Sequence, residues 1–145
     1  MKLSTRARYG ARMMFELALH YGEGYCLLKN IARDEDLPEQ YLTQVVIPLR
    51  TRGLVVSERG MKGGYMLAKP PNEITMKDVV ETLDGTSAIV ECTRDADACD
   101  RYPGCVTRKV WSMLDERISE ALASVTLQDL VRMRQAAQTN VSYEI

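Results

Sequence analysis

Residues 41–68, YLTQVVIPLRTRGLVVSERGMKGGYMLA, change their hydrophobic period part-way along, and that change decides the fold. Tyr41, Leu42, Val45, Val46 and Leu49 recur at helical spacing, and Gly53 stops the run. From Leu54 the pattern is different: LVVS reads as a strand, ERGMKGG as a turn carrying three glycines and the cations Arg59 and Lys62, and YMLA as the returning strand. The stretch therefore predicts a helix followed by a β-hairpin with a basic tip. Pro38 fits the helix's first turn, whereas Pro48 cannot donate to the carbonyl of Gln44 and predicts a kink or a strained last turn.

Two shorter patterns precede this unit. Leu28, Ile31 and Ala32 make a short helix between Leu27 and Asp36; before it, Leu3, Ala7, Met14, Leu17, Ala18 and Tyr21 make a first helix, capped by Ser4 or Thr5 and ended by Gly22 and Gly24. Downstream, TMKD at 75–78 is a capping-box start for a helix through Val79, Val80 and Leu83, closed by Gly85. Val106, Val110, Leu114, Ile118, Leu122 and Val125 then form one apolar stripe on a long helix. Thr126 with Asp129 caps a last helix expected to end near Ala137, leaving a loose polar tail. The organisation expected is a winged helix-turn-helix over 1–86, a cysteine-bearing loop over 87–105, a helical dimerisation arm over 106–137 and a tail over 138–145. The fold class is mainly α with a small β-hairpin wing.

That architecture has a physical use. A helix is thin enough to enter the major groove, and polar side chains near its N-terminus, here Gln40, Thr43 and Gln44, can reach base edges. Arg50 and Arg52 suit phosphate contacts, which position without specifying. Glycines at 60, 63 and 64 allow close backbone approach, and Arg59 suits a narrow minor groove. Each feature alone is equally that of a solvated helix or an ordinary turn; it is their order that argues for DNA.

Charge agrees with this division. Residues 1–65 hold ten Lys and Arg against seven Asp and Glu, or +3, and residues 66–145 hold nine against thirteen, or -4, so the total of -1 conceals a basic half. The basic start MKLSTRARYG is followed by an apolar run broken by Glu16, unlike a secretory signal, and no stretch approaches membrane-spanning length. A cytoplasmic protein is expected, in which clustered cysteines bind metal or sense redox state more often than they pair. The chain has one histidine, His20, and no nucleophile with a base beside it, so an enzyme is not expected.

Three of the four cysteines, Cys92, Cys99 and Cys105, lie within CTRDADACDRYPGC, separated by six and then five residues. Such spacing lets three sulfurs converge on an iron-sulfur cluster, while the tight CxxC pairs of structural zinc sites are missing. A zinc site and a thiol switch remain the alternatives. Glu91, Asp95, Asp97 and Asp100 are the local oxygen candidates, though a run of acids in a loop is more often solvated, and Cys26 stands apart as a small buried residue.

With these residues in place, the chain resembles the winged-helix iron-sulfur transcription regulators typified by IscR and NsrR. The resemblance rests on LSTRARYG, on YLTQVVIPLRTRGLVVSERGMKGGYMLAK and on the three cysteines before the long helix, and covers roughly residues 1–135. It implies a homodimer built on the long helix and a cluster held by Cys92, Cys99 and Cys105, with 2Fe–2S favoured over 4Fe–4S. The implied activity is cluster-responsive regulation from palindromic double-stranded operators, controlling cluster biogenesis or redox-stress genes. By position, Tyr9, Gln40, Tyr41, Gln44, Arg59 and Gly60 fall at the DNA face. Two positions depart from the pattern: Arg108 stands where the family carries a histidine ligand, and Thr43 where it often carries Glu. An alternative is a thiol-switch or zinc-binding winged helix acting as a protein-interaction module.

Overall fold

The computed structural model describes residues 2–59, 63–86 and 88–143, with side chains as far as 141. Six helices and one hairpin follow in the order α1 (Thr5–Leu19), α2 (Leu28–Glu35), α3 (Glu39–Thr51), β1 (Val55–Glu58), β2 (Gly64–Leu67), α4 (Met76–Asp84), α5 (Val106–Ser124) and α6 (Leu127–Tyr143). This is the expected mainly helical winged helix-turn-helix. The strands pair antiparallel with Val55 opposite Leu67 and Glu58 opposite Gly64. Cys26 adds a one-residue bridge on the other edge of β2, exchanging backbone hydrogen bonds of 2.7 and 2.8 Å with Tyr65.

The core forms where α1 crosses α3 and α4. Met13, Met14 and Leu17 of α1 meet Leu42, Val45 and Leu49 of α3 and Val79 of α4, all at most 1% exposed. Gly10 makes the crossing possible, since a Cβ there would sit 2.1 Å from Leu83 Cδ1 and 3.3 Å from Val45 Cγ1. Ser4 caps α1 by accepting from the Ala7 amide at 2.9 Å, and its own amide donates to Asp84 at 3.1 Å, tying the start of α1 to the end of α4.

Two capping boxes are joined back to back. The Asp78 amide donates to Thr75 Oγ1 and the Thr75 amide to Asp78 Oδ2, and Asp129 and Thr126 repeat both bonds at the start of α6. Met76 N–H donates to Val125 at 2.8 Å and Leu127 N–H to Ile74 at 2.9 Å, so the two helix starts share one short ladder. Leu127 is fully buried, and α6 packs on α1. The start of the last helix is thus packed against the winged body.

Several element bounds refine the sequence reading. Helix α3 is assigned through Pro48 to Thr51, with the proline in its last turn, where the carbonyl it leaves free belongs to the exposed Gln44. Helix α6 continues past Ala137 to Tyr143, with no glycine or proline to stop it and with the Thr139 hydroxyl bonded back to Gln135 O at 3.0 Å. The strands are displaced by one residue from the expected bounds. No helix among the described residues is long and apolar enough to cross a membrane.

Candidate nucleic-acid interface and cysteine loop

Helix α3 has two faces. Leu42, Val45, Val46 and Leu49 are buried, which turns Gln40, Thr43, Gln44, Ile47 and Arg50 outward in one strip. The Thr43 hydroxyl donates to Gln40 O at 2.5 Å, so its hydrogen is engaged and its methyl group and lone pairs face outward. Gln40 and Gln44 are one turn apart and fully available, with the donor and acceptor pair that matches an adenine edge. Ile47, 62% exposed, continues the strip. Sequence reading passed over it, because an apolar residue in an amphipathic helix looks like core until the other face is seen to be filled.

Tyr9 and Tyr41, also expected at the DNA face, are in addition packed against each other. Both are half-buried and packed on the core, and their rings meet edge to face with centroids 5.3 Å apart. They fix the angle between α1 and α3. Arg50, Arg52 and Arg59 are exposed, and Arg6 of α1 joins Arg52, Ile47, Pro48 and Thr51 around one shallow cavity. Arg6 is a cation that the sequence pattern alone did not connect to α3. Gly60 and Lys62, expected at the wing tip, lie outside the described residues.

Cys92, Cys99 and Cys105 share one irregular segment folded into three short 3₁₀ turns, at Glu91–Thr93, Ala96–Ala98 and Tyr102–Gly104. All three thiols are free. Their sulfurs are not collected as a single metal ion would require. Four-coordinate Zn–S bonds of about 2.3 Å hold sulfurs roughly 3.8 Å apart. Among the described residues, the one set of three ligand atoms within 4.8 Å of one another is Glu16, His20 and Asp34, elsewhere in the chain. A multi-atom cluster spaces its thiolates more widely, so the donor set of three soft sulfurs on one loop fits a cluster better than zinc.

Cys105 is an activated thiol. It is the residue before α5, where the helix dipole favours an anion; the Thr107 hydroxyl 3.2 Å away, the Arg108 backbone amide and the Arg108 charge hold its pKa below the usual thiol range. Arg108 lies over the Tyr102 ring, 4.0 Å from its centroid, and its Nε is buried without a hydrogen-bond partner. A guanidinium cannot ligate, so Arg108 supplies positive charge beside the sulfurs and no fourth ligand. The loop is tied to α5 at its start too, where the Ile89 amide donates to Asp115 Oδ1 at 2.8 Å.

Residues 3–133 match the family described as "Rrf2: Iron-dependent Transcriptional regulator". The chain belongs to the Rrf2 family of transcriptional regulators. It is 42% identical over 130 residues to the HTH-type transcriptional regulator CymR of Bacillus subtilis (strain 168), covering 90% of this chain and 89% of that one. The regulator IscR of Pectobacterium carotovorum is 34% identical over 135 residues, covering 93% and 82%. Among solved structures, T. potens IscR aligns with a TM-score of 0.78 at 38% identity, covering 95% of this chain and 91% of that one. Regulators of this family bind DNA, which assigns this Rrf2 protein a regulatory and not an enzymatic role and its winged helix a DNA-binding one.

Proposed function

We propose that this Rrf2 protein is a homodimeric regulator of palindromic operators whose DNA affinity depends on an iron-sulfur cluster held by Cys92, Cys99 and Cys105. The observation that carries this reading is the gathering of three free, soft ligands on one loop that ends, at the thiolate-prone Cys105, directly on the first residue of α5. Its likeness to IscR and the family's description as iron-dependent support it. When bound, the cluster would supply an iron centre open to oxidants, with its remaining coordination position filled from outside this loop. Helix α5 packs on α4, and α4 packs on both α1 and α3, giving a continuous solid path from the loop to the reading helix.

At the DNA, Gln40 and Gln44 read bases, Ile47 meets a thymine methyl group, and Arg6, Arg50, Arg52 and Arg59 hold phosphates or the minor groove. The dimer seam follows the exposed apolar face of α5, including Val110 and Leu114. The expected regulon is cluster assembly or redox stress.

A second reading is favoured by one relative: the solved CymR structure is described as the global cysteine regulator of B. subtilis, and a lowered thiol pKa at Cys105 also suits a thiol switch.

One experiment separates the two. Purified without oxygen, the wild type should contain iron and acid-labile sulfide, each of Cys92→Ala, Cys99→Ala and Cys105→Ala should lose them, and cluster-loaded and cluster-free protein should differ in operator affinity. A wild type that carries no iron but changes its DNA affinity on thiol oxidation would establish the thiol switch instead. Full iron content in all three variants would remove the loop from the site.

A further inference from the structure

The C-terminal turn of α1, the segment after it and α2 line a cavity of about 500 Å³ that includes no residue of the cysteine loop. Glu16 and His20, one turn apart on α1, face Asp34 of α2 across it, and one ligand atom from each lies within 4.8 Å of the others. Glu16 is 6% exposed, with His20 Nε2 3.5 Å away and the Glu35 carboxyl hydrogen-bonded to it, and burial followed by that hydrogen bond pushes its pKa up to about 7, so no arginine or lysine neutralises it. The neighbouring cations are already committed: Arg12 bonds Glu35, and Arg33 bonds Asp34 Oδ1 at 3.0 Å, leaving the second Asp34 oxygen. Glu16 and the free oxygen of Asp34 therefore share a cavity whose remaining basic group is His20.

The histidine is set up as a ligand. Its Nδ1 meets Glu23 Oε2 at 2.7 Å and its Nε2 faces Glu16 Oε2 at 3.5 Å; the flanking carboxylates favour the imidazolium, and a metal cation at Nε2 would take the place of the proton there while Nδ1–H keeps donating to Glu23. A carboxylate behind an imidazole is the arrangement that orients metal-bound histidines and raises their basicity. A cation at ordinary Zn–N and Zn–O distances of about 2.0–2.2 Å from Nε2 and Oε2 would see them at an angle of roughly 115–120°, close to tetrahedral. The cavity leaves room for water at the remaining position.

We propose that Glu16, His20 and Asp34 bind a divalent first-row transition cation, with Glu23 orienting the imidazole. One imidazole and two carboxylates suit Zn²⁺ or Co²⁺ better than the all-oxygen preference of Ca²⁺ or Mg²⁺. The site joins the scaffold helix α1 to α2 of the helix-turn-helix, beside Cys26, whose backbone anchors the wing strand through Tyr65. It shares no residue with the cysteine loop and stands whether or not the loop holds a cluster.

The test is Co²⁺ titration, by absorbance and by dialysis, of the full chain and of a Cys92→Ala/Cys99→Ala/Cys105→Ala variant, which removes competing loop thiols from a segment with no buried residue. The triple variant should bind one Co²⁺ that Zn²⁺ displaces, and the full chain at least one; the single substitutions are made in the triple-variant background. His20→Ala should weaken binding at least about tenfold and Glu23→Gln by about 10–100-fold, the usual effect of an outer-shell carboxylate. Glu23 is exposed, so its variant keeps the fold and isolates the orienting role. Absence of Co²⁺ binding in the triple variant, or unchanged affinity in both His20→Ala and Glu23→Gln, would overturn the site and leave a proton-sharing acidic cluster.

Discussion

The winged body and helix α5 are built from similar amounts of apolar sequence, yet they dispose of it in opposite ways. Within α1 to α4, Met13, Met14, Leu42, Leu49 and Val79 are all fully enclosed by the chain itself. Along α5, nineteen residues and about 28 Å of helix, not one side chain is buried, and Val106, Val110, Trp111, Met113 and Leu114 are open to solvent. A helix is not stabilised by propensity alone at such a length, so the first region completes its own core while the second awaits another surface. The cysteine loop belongs with α5: it too has no buried residue and carries ligands for something outside the chain.

The comparison is broken most forcefully by the same truncation made in each region. Leu42→Ala opens a cavity in a closed core and should cost about 2–5 kcal/mol, at any protein concentration. Leu114→Ala, from a position 37% exposed, should leave unimolecular unfolding of the winged body nearly unchanged and instead weaken dimerisation. Denaturant melts at two protein concentrations, with sedimentation for Leu114→Ala, check both halves. A Leu114→Ala cost as large as that of Leu42→Ala and independent of concentration would mean that α5 is core after all.

Glycines sharpen the contrast. A Cβ at Gly64 would sit 2.5 Å from the Cys26 carbonyl oxygen and 2.8 Å from its carbon, both backbone atoms that the Cys26–Tyr65 rung holds in place. Gly64→Ala should therefore cost about 1–3 kcal/mol and shift the wing, lowering DNA affinity without removing a DNA contact. Around Gly104, in the cysteine loop, nothing lies within 4 Å of the same Cβ, and Gly104→Ala should fall within about 0.5 kcal/mol of wild type. Paired thermal melts and operator titrations of the two variants measure the difference.

How much of this was legible in the sequence follows the same line. The change of period at Leu54 located the wing, and both capping boxes were visible as TMKD and TLQD, because these signals are local. What escaped needs the fold. Tyr9 and Tyr41 fall at the DNA face by resemblance, and only the fold shows that their rings also pack edge to face, joining helices 32 residues apart in sequence. Glu16 and His20 could be read as neighbours on one helix face, whereas Asp34 reaches them only through the turn between α1 and α2. Helix α6 was placed six residues short because its polar end carries no stop signal, and polarity was taken for looseness.

The smallest effects concern the seam between the two capping boxes. Thr75→Ala and Thr126→Ala each remove one cap and should each cost about 1 kcal/mol. The boxes are joined by the Met76–Val125 and Leu127–Ile74 backbone bonds, so loosening either start frays the other; the double variant should cost less than the sum of the two, a coupling that a double-mutant cycle in urea resolves. Asp129 adds a pH signature. The Thr126 backbone amide and hydroxyl hold its carboxyl below the ordinary value of 3.8, so the folded state releases this proton more readily than the unfolded chain. Its contribution is then complete above the unfolded value and fades as the pH falls through the lowered folded one. Thr126→Ala should thus lose a little of the acid-side slope of stability against pH, while Thr75→Ala leaves the Asp129 part of that slope in place. Equal slopes in wild type and Thr126→Ala would mean that Asp129 caps α6 no better charged than neutral.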